Sequence, residues 1–156
     1  MCSSDLPQLN LGVPVMIPDS YVIDLDVRLG LYRRLSSLGT KVELEGFAAE
    51  LIDRFGPLPR EVNTLMLIVR IKAMCKRAGI SRLDAGPKGA TIQFHNDKFA
   101  NPAGLVDFLK AQGGAARVNG TKIVLTGEMK AEADRIKGAF NIARDLAEVV
   151  QAGKRA

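Results

Sequence analysis

Apolar positions follow a helical spacing through the first half of the chain and a two-residue alternation through much of the second. Leu25, Leu29, Tyr32, Leu35 and Leu38 recur at intervals of three and four, predicting a helix that begins near Asp24 or Asp26 and stops at Gly39. Leu44, Phe47, Ala48, Leu51, Ile52 and Phe55 predict a second helix over residues 42–55 with one wholly apolar face, ended by Gly56 and Pro57. Its opposite face carries Glu50, Asp53 and Arg54. Pro59 suits the first turn of a third helix, where a missing N–H breaks no bond. From Val62 to Ala78 that helix is apolar on most sides, which predicts a buried central pillar ending at Gly79.

The texture then changes. Ile80 to Ala85 and Ala90 to Phe94 read as strands joined by Gly86-Pro87-Lys88-Gly89, with Pro and Gly at the second and fourth positions favoured in a type I turn. A short helix follows Pro102. Ala115 to Val118 and Lys122 to Leu125 flank Asn119-Gly120, a strong hairpin signal. A long last helix carries a stripe from Met129 through Ala133, Ile136, Phe140, Ala143, Leu146 and Ala147 to Val150. The predicted fold class is α+β: a helical N-terminal half followed by a small, mostly antiparallel sheet with covering helices.

The start of the chain differs from both regimes. Leu9, Leu11, Val13 and Val15 alternate with other residues, but Pro7, Pro14 and Pro18 argue against a central strand. Residues 1–20 are expected to be an extended arm or edge strand leading in from a preceding domain. Residues 21–150 are then a single domain, and the small, basic residues 151–156 a frayed tail.

Composition narrows the function classes. The chain of 156 residues is 47% hydrophobic and 25% charged, ordinary for a globular domain, and has no Trp, so aliphatic residues must build the core. A net charge of +5 permits contact with nucleic acid, yet cations and anions interleave. Lys130, Arg135 and Lys137 alternate with Glu128, Glu132 and Asp134, whereas binding DNA needs a stripe of uncompensated cations. Weak or no direct DNA binding is therefore expected. Cys2 and Cys75 with the single His95 offer neither a disulfide framework nor zinc spacing. The absence of a signal peptide or long apolar span predicts no membrane contact and a cytoplasmic setting.

Candidate chemistry is sparse. Gly86-Pro87-Lys88-Gly89 joins two strands and lacks the strand-to-helix context and the Lys-Ser/Thr pair of a phosphate-binding loop. His95 has only Asp97 nearby in sequence, too little for a nucleophile–base pair. The carboxylate pairs Asp24/Asp26 and Glu43/Glu45 are explained by helix capping and dipole complementarity. No catalytic residue, metal site or cofactor is predicted. Glu50, Asp53 and Arg54 have two readings: an intrahelical Glu50–Arg54 ion pair worth a few tenths of a kcal/mol, or a charged docking patch for a protein partner.

Two long stretches carry a resemblance. Residues 24–35 (DLDVRLGLYRRL) and 50–59 (ELIDRFGPLP) resemble the C-terminal domain of bacterial transcription-repair coupling factors, the Mfd family. So do the lead-in at residues 14–22 (PVMIPDSYV), the turn at 83–89 (LDAGPKG) and, more faintly, 98–102 (KFANP). The resemblance covers roughly residues 9–150. It implies a regulatory domain of a large ATP-driven translocase that removes stalled RNA polymerase and recruits UvrA. In that family the domain folds back on a UvrB-like N-terminal module of the same protein and represses it until polymerase is engaged. The resemblance thus implies an intramolecular partner, with UvrA and RNA polymerase reached through the full-length factor, and makes Glu50, Asp53 and Arg54 the preferred docking residues. Two other classes remain open: a nucleic-acid-binding module, and a structural brace for the motor with no partner face.

Overall fold

The structure, a computed structural model, describes residues 7–12, 16–94, 99, 102–120 and 122–155. The chain forms two compact units, Pro14–Ala73 and, in two segments, Met1–Val13 with Met74–Ala156. These limits differ from the arm and single domain expected at residues 1–20 and 21–150. The division at Ala73 falls inside a continuous helix, whose unbroken apolar spacing gives no sign of a boundary.

The unit Pro14–Ala73 is helical. Helix α1 (Leu25–Ser36) is capped by Asp24, whose side chain accepts from the Val27 N–H, which is the role expected of this acidic pair. It ends before Gly39 because the hydroxyls of Ser36 and Ser37 donate to the carbonyls of Arg33 and Arg34, at 2.8 Å each, closing the last turn. Helix α2 (Lys41–Phe55) opens with a reciprocal capping box between Thr40 and Glu43. Helix α3 (Arg60–Ala78) starts one residue after Pro59, whose carbonyl accepts from Val62 and Asn63.

The core of this unit gathers Ile17, Val22, Leu31, Leu35, Leu44, Phe47, Leu51, Val62 and Leu65. Two expected core assignments are corrected. Leu25 and Leu29 are 58% and 43% exposed, because the buried stripe of α1 is Leu31 and Leu35, flanked by Val27, Tyr32 and Leu38. Ile52 is 49% exposed, because Leu44, Phe47 and Leu51 already define the inward face of α2 and Ile52 lies about 100° round from Leu51. Phe55 is half-buried at the margin of the same core. In α3 the buried residues follow one stripe, and Leu67 is exposed, so the pillar is less enclosed than its composition suggests.

The other unit is built on a five-stranded sheet ordered β1-β2-β3-β5-β4. Strand β1 (Gln8–Asn10) is an edge strand pairing parallel with β2 (Ile80–Gly86), in line with the edge position its prolines require. Strands β3 (Gly89–Phe94), β4 (Ala116–Asn119) and β5 (Lys122–Thr126) pair antiparallel. Gly89 is obligatory: its φ is +145° and a Cβ there would stand 2.0 Å from the Leu125 carbonyl oxygen. The face bearing Leu83, Ala85, Ala90, Ile92, Ile123 and Leu125 is buried. Helices α4 (Pro102–Ala111) and α5 (Glu132–Arg155) pack on each other, α5 also on β2 and α4 on β4.

Helix α5 starts three residues after Met129, because the Gly127 and Met129 N–H groups donate to Lys88 and Pro87 and hold the segment against the β2–β3 turn. Its buried stripe is Ala139, Ala143, Leu146 and Val150, with Ala133 exposed. It stays helical to Arg155, through residues expected to fray. Arg135 ties the residue that follows β1 to the start of α5, donating to the Leu11 carbonyl at 2.7 Å and to that of Lys130 at 2.8 Å. The fold is α+β.

Candidate docking face

The strongest side-chain constellation lies across α1 and α2. Phe47, 3% exposed, fixes one end through its ring, over which the Arg34 guanidinium sits at 5.2 Å. Arg34 donates through both terminal nitrogens to Glu50, Nη1 to Oε2 at 2.6 Å and Nη2 to Oε1 at 2.8 Å. Arg54 Nη1 adds a third donor to Oε2 at 3.3 Å, and its guanidinium lies 4.9 Å from the Phe55 ring. Glu50 is thus bridged between two arginines, each resting on an aromatic ring.

The electrostatics follow from that geometry. The two-point bond from Arg34, aided by Arg54, pulls the Glu50 carboxyl from 4.5 down to about 2, and Arg34 is pushed upward in turn. Asp53, one turn along and exposed, makes no hydrogen bond or ion pair among the described residues. The face therefore presents an anchored carboxylate, two anchored guanidiniums and one uncommitted carboxylate.

All three residues singled out in the sequence, Glu50, Asp53 and Arg54, reach the surface of α2. The intrahelical Glu50–Arg54 pair exists, but the shorter, two-point bond comes from Arg34 on α1. Helical spacing cannot reveal that partner, since it compares residues within one helix and Arg34 is 16 residues away. The only sequence signal was the hairpin-like succession of two amphipathic helices, which brings α1 beside α2.

Other candidates carry less. Gly86-Pro87-Lys88-Gly89 forms the β2–β3 turn. Asp24 and Glu43 serve as helix caps. Cys75 is buried, and burial pushes its thiol up to about 12, far from a reactive thiolate at neutral pH. His95, Asp97 and Cys2 lie outside the described residues. Among the described residues no group of three or more His, Cys, Asp and Glu is placed to hold a metal ion, and no helix is long and apolar enough to cross a membrane.

The residues forming this face fall within a longer recognisable span. Residues 11–105 match the TRCF domain family model, well over half of the chain. The chain belongs to the TRCF domain family. The TRCF span takes in α1, α2 and α3, the β2–β3 hairpin and all four charged residues of the face. The chain is similar to the transcription-repair-coupling factor of Rickettsia conorii, 48% identical over 92 residues, which are 59% of this chain and 8% of that protein. It is also similar to that of Escherichia coli K12, 33% identical over 147 residues, 94% of this chain and 13% of that protein. The chain thus spans a small part of the curated relatives it matches. Its fold is that of a solved C-terminal domain of transcription-repair coupling factor, with a TM-score of 0.79 over 94% of this chain and 95% of that one, at 22% identity.

Proposed function

We propose that this chain is a non-catalytic regulatory domain of a transcription-repair coupling factor, acting in the cytoplasm by reversible docking. Through Glu50, Asp53 and Arg54 it binds the UvrB-like module of the same factor and represses UvrA recruitment until stalled RNA polymerase is engaged. The observation that carries this reading is the anchored charged face of α2, in which Arg34 and Arg54 pin Glu50 while Asp53 stays uncommitted. A polar, pre-ordered surface suits a contact that must form with register and also release, because charged rims set specificity and rate more than raw affinity. For the non-catalytic part, the Gly86-Pro87-Lys88-Gly89 turn joins two strands rather than leading from a strand into a helix as a phosphate-binding loop does.

The test is calorimetric titration of the 156-residue chain with the isolated UvrB-like module. Binding by the wild type, and its loss in the triple variant E50A/D53A/R54A with unchanged circular dichroism, is expected. Equal binding by a folded triple variant refutes docking through this face.

A second reading, contact with nucleic acid, is favoured by one observation: the excess charge is confined to one unit. Met1–Val13 with Met74–Ala156 holds fourteen Lys and Arg against nine Asp and Glu, whereas Pro14–Ala73 holds eight of each. On the sheet face away from the buried one, the register aligns Arg82, Gln93 and Lys122 in one row and Asp84, Thr91, Val124 and Arg117 in the next. A cavity of about 470 Å³ at the end of this face is flanked by Lys88 and Arg117 and has no acidic residue in its lining. Arg82 is already engaged by Asp84 at 2.8 Å. The remaining cations suit a weak, sequence-independent contact.

A further inference from the structure

We infer that Arg34, on α1, is a positioning residue of the docking face: it holds Glu50 in the orientation that sets out Arg54 and Asp53 for a partner. This rests on the docking role proposed above and goes beyond it, because Arg34 belongs to another helix and has no place in the α2 motif.

An exposed helical Glu has no fixed orientation of its own. Its side chain turns about three bonds, and a partner that needs one arrangement must freeze it on binding. Here the arrangement exists before any partner arrives. Arg34 occupies both Glu50 oxygens with a two-point fork, at 2.6 and 2.8 Å, a geometry that a planar guanidinium can make and an ammonium cannot. Arg34 is itself placed by the buried Phe47 ring at 5.2 Å, so the order runs outward from the core. Glu50 then steadies Arg54 through the 3.3 Å bond, with the Phe55 ring 4.9 Å from its guanidinium.

The donors and acceptors that remain unengaged define the partner's chemistry. Both Glu50 oxygens are engaged by arginine, so a new cation gains more at Asp53, the uncommitted carboxylate. Arg54 spends one nitrogen on Glu50 and keeps further N–H groups for an acceptor. The face fits a protein surface that offers a Lys or Arg to Asp53 and an Asp or Glu to the neighbouring Arg54. A uniformly anionic ligand such as duplex DNA would meet Asp53 unfavourably.

Binding to the UvrB-like module should be compared for the wild-type chain, R34A, R34K, E50A, R34A/E50A and D53A/R54A, with thermal melts run on each. R34A and R34K should each weaken binding roughly 2- to 10-fold, the scale of freezing one flexible side chain. In the E50A background, R34A should have no further effect. R34K is the informative variant because it keeps charge and bulk; binding at the wild-type level by R34K would overturn the fork in favour of simple charge. Undiminished binding by R34A beside weakened binding by E50A would overturn the inference and leave the docking role intact. Equal losses from R34A with and without Glu50 would mean that Arg34 acts independently of Glu50. Full binding by E50A and by D53A/R54A would instead remove the docking role itself. If R34A melts early, R34K and the E50A background still decide the matter.

Discussion

The Tyr21 hydroxyl donates to the carbonyl of Gly56 at 2.8 Å, linking the segment before α1 to the end of α2 across 35 residues of chain. A second acceptor, the Leu51 carbonyl, lies at 3.2 Å, and the Tyr21 ring meets Phe55 at 5.7 Å in a tilted pair. Gly56 has a φ of +97°, and its carbonyl points where no continuing helix would supply a donor. Tyr21 takes that place, so the end of the charged helix is fixed by a residue outside it.

Tyr21→Phe should therefore keep the ring contact and lose the hydroxyl, destabilising the chain by about 0.5–1.5 kcal/mol. Urea unfolding followed by circular dichroism measures this directly. An unchanged midpoint would mean that water replaces the hydroxyl at the Gly56 carbonyl without loss.

Packing on α2 gives a graded expectation. Phe47 is 3% exposed and Leu51 1%, whereas Ile52 is 49% exposed. Phe47→Ala should cost roughly 3–5 kcal/mol, as removal of a buried aromatic does. Phe55→Ala should cost less, since that ring is only half-buried, and Ile52→Ala should stay within about 0.5 kcal/mol. A large loss at Ile52 with a small one at Phe47 would reverse the assignment of the helix faces.

That contrast marks how far the sequence could be read. Element order, the three N-terminal helices, both hairpins and the α+β class follow from spacing and turn chemistry, because Pro59, Gly89 and Asn119-Gly120 act locally. Helix phase was harder. In α1 two apolar stripes compete, Leu25 and Leu29 against Leu31 and Leu35, and only packing with Phe47 and Leu51 selects the second. The charged triplet was visible as a patch on α2, yet its organising residue, Arg34, was not, because pairing between helices depends on how they are laid side by side. The boundary at Ala73 was hidden for a related reason: α3 is a continuous helix contributing to both units.

Glu50 gives a pH expectation with a definite sign. Its folded-state carboxyl titrates near 2 rather than 4.5, mainly through the Arg34 bond. A depressed carboxylate contributes stability that is present above its unfolded value and lost as pH falls through the folded one. The Arg34–Glu50–Arg54 arrangement should therefore be insensitive to pH from about 5 upward and dissolve between about 4.5 and 2. Side-chain carboxyl NMR shifts should place the Glu50 midpoint near 2 in the wild type and move it up toward the ordinary carboxylate value in R34A. A wild-type midpoint at the ordinary value would mean that the two-point bond is not formed in solution.

The confinement of excess charge to one unit leads to a salt-dependence experiment. Lys88, Arg117 and Lys122 are exposed, and Arg117 and Lys122 stand on the polar face of the sheet, whereas the docking face lies in a unit whose charges balance. Any duplex DNA contact should therefore draw on the first set and ignore the second. The expected dissociation constant is about 10⁻⁴–10⁻⁶ M at physiological salt, the range for non-specific binding. Each cation that neutralises a phosphate steepens the dependence of log K on log salt by about 0.9. Replacing Lys88, Arg117 and Lys122 by Ala should flatten that slope by up to about 2.7, while E50A/D53A/R54A should leave it alone. Fluorescence anisotropy with a labelled duplex across a salt series separates the cases. Nanomolar binding that depends on the three cations would make nucleic acid the principal partner of this chain. A slope shifted by the α2 triplet instead would place the contact on the face assigned here to a protein. Micromolar or weaker binding, abolished by modest salt, leaves protein docking as the domain's work and the sheet cations as a non-specific contribution.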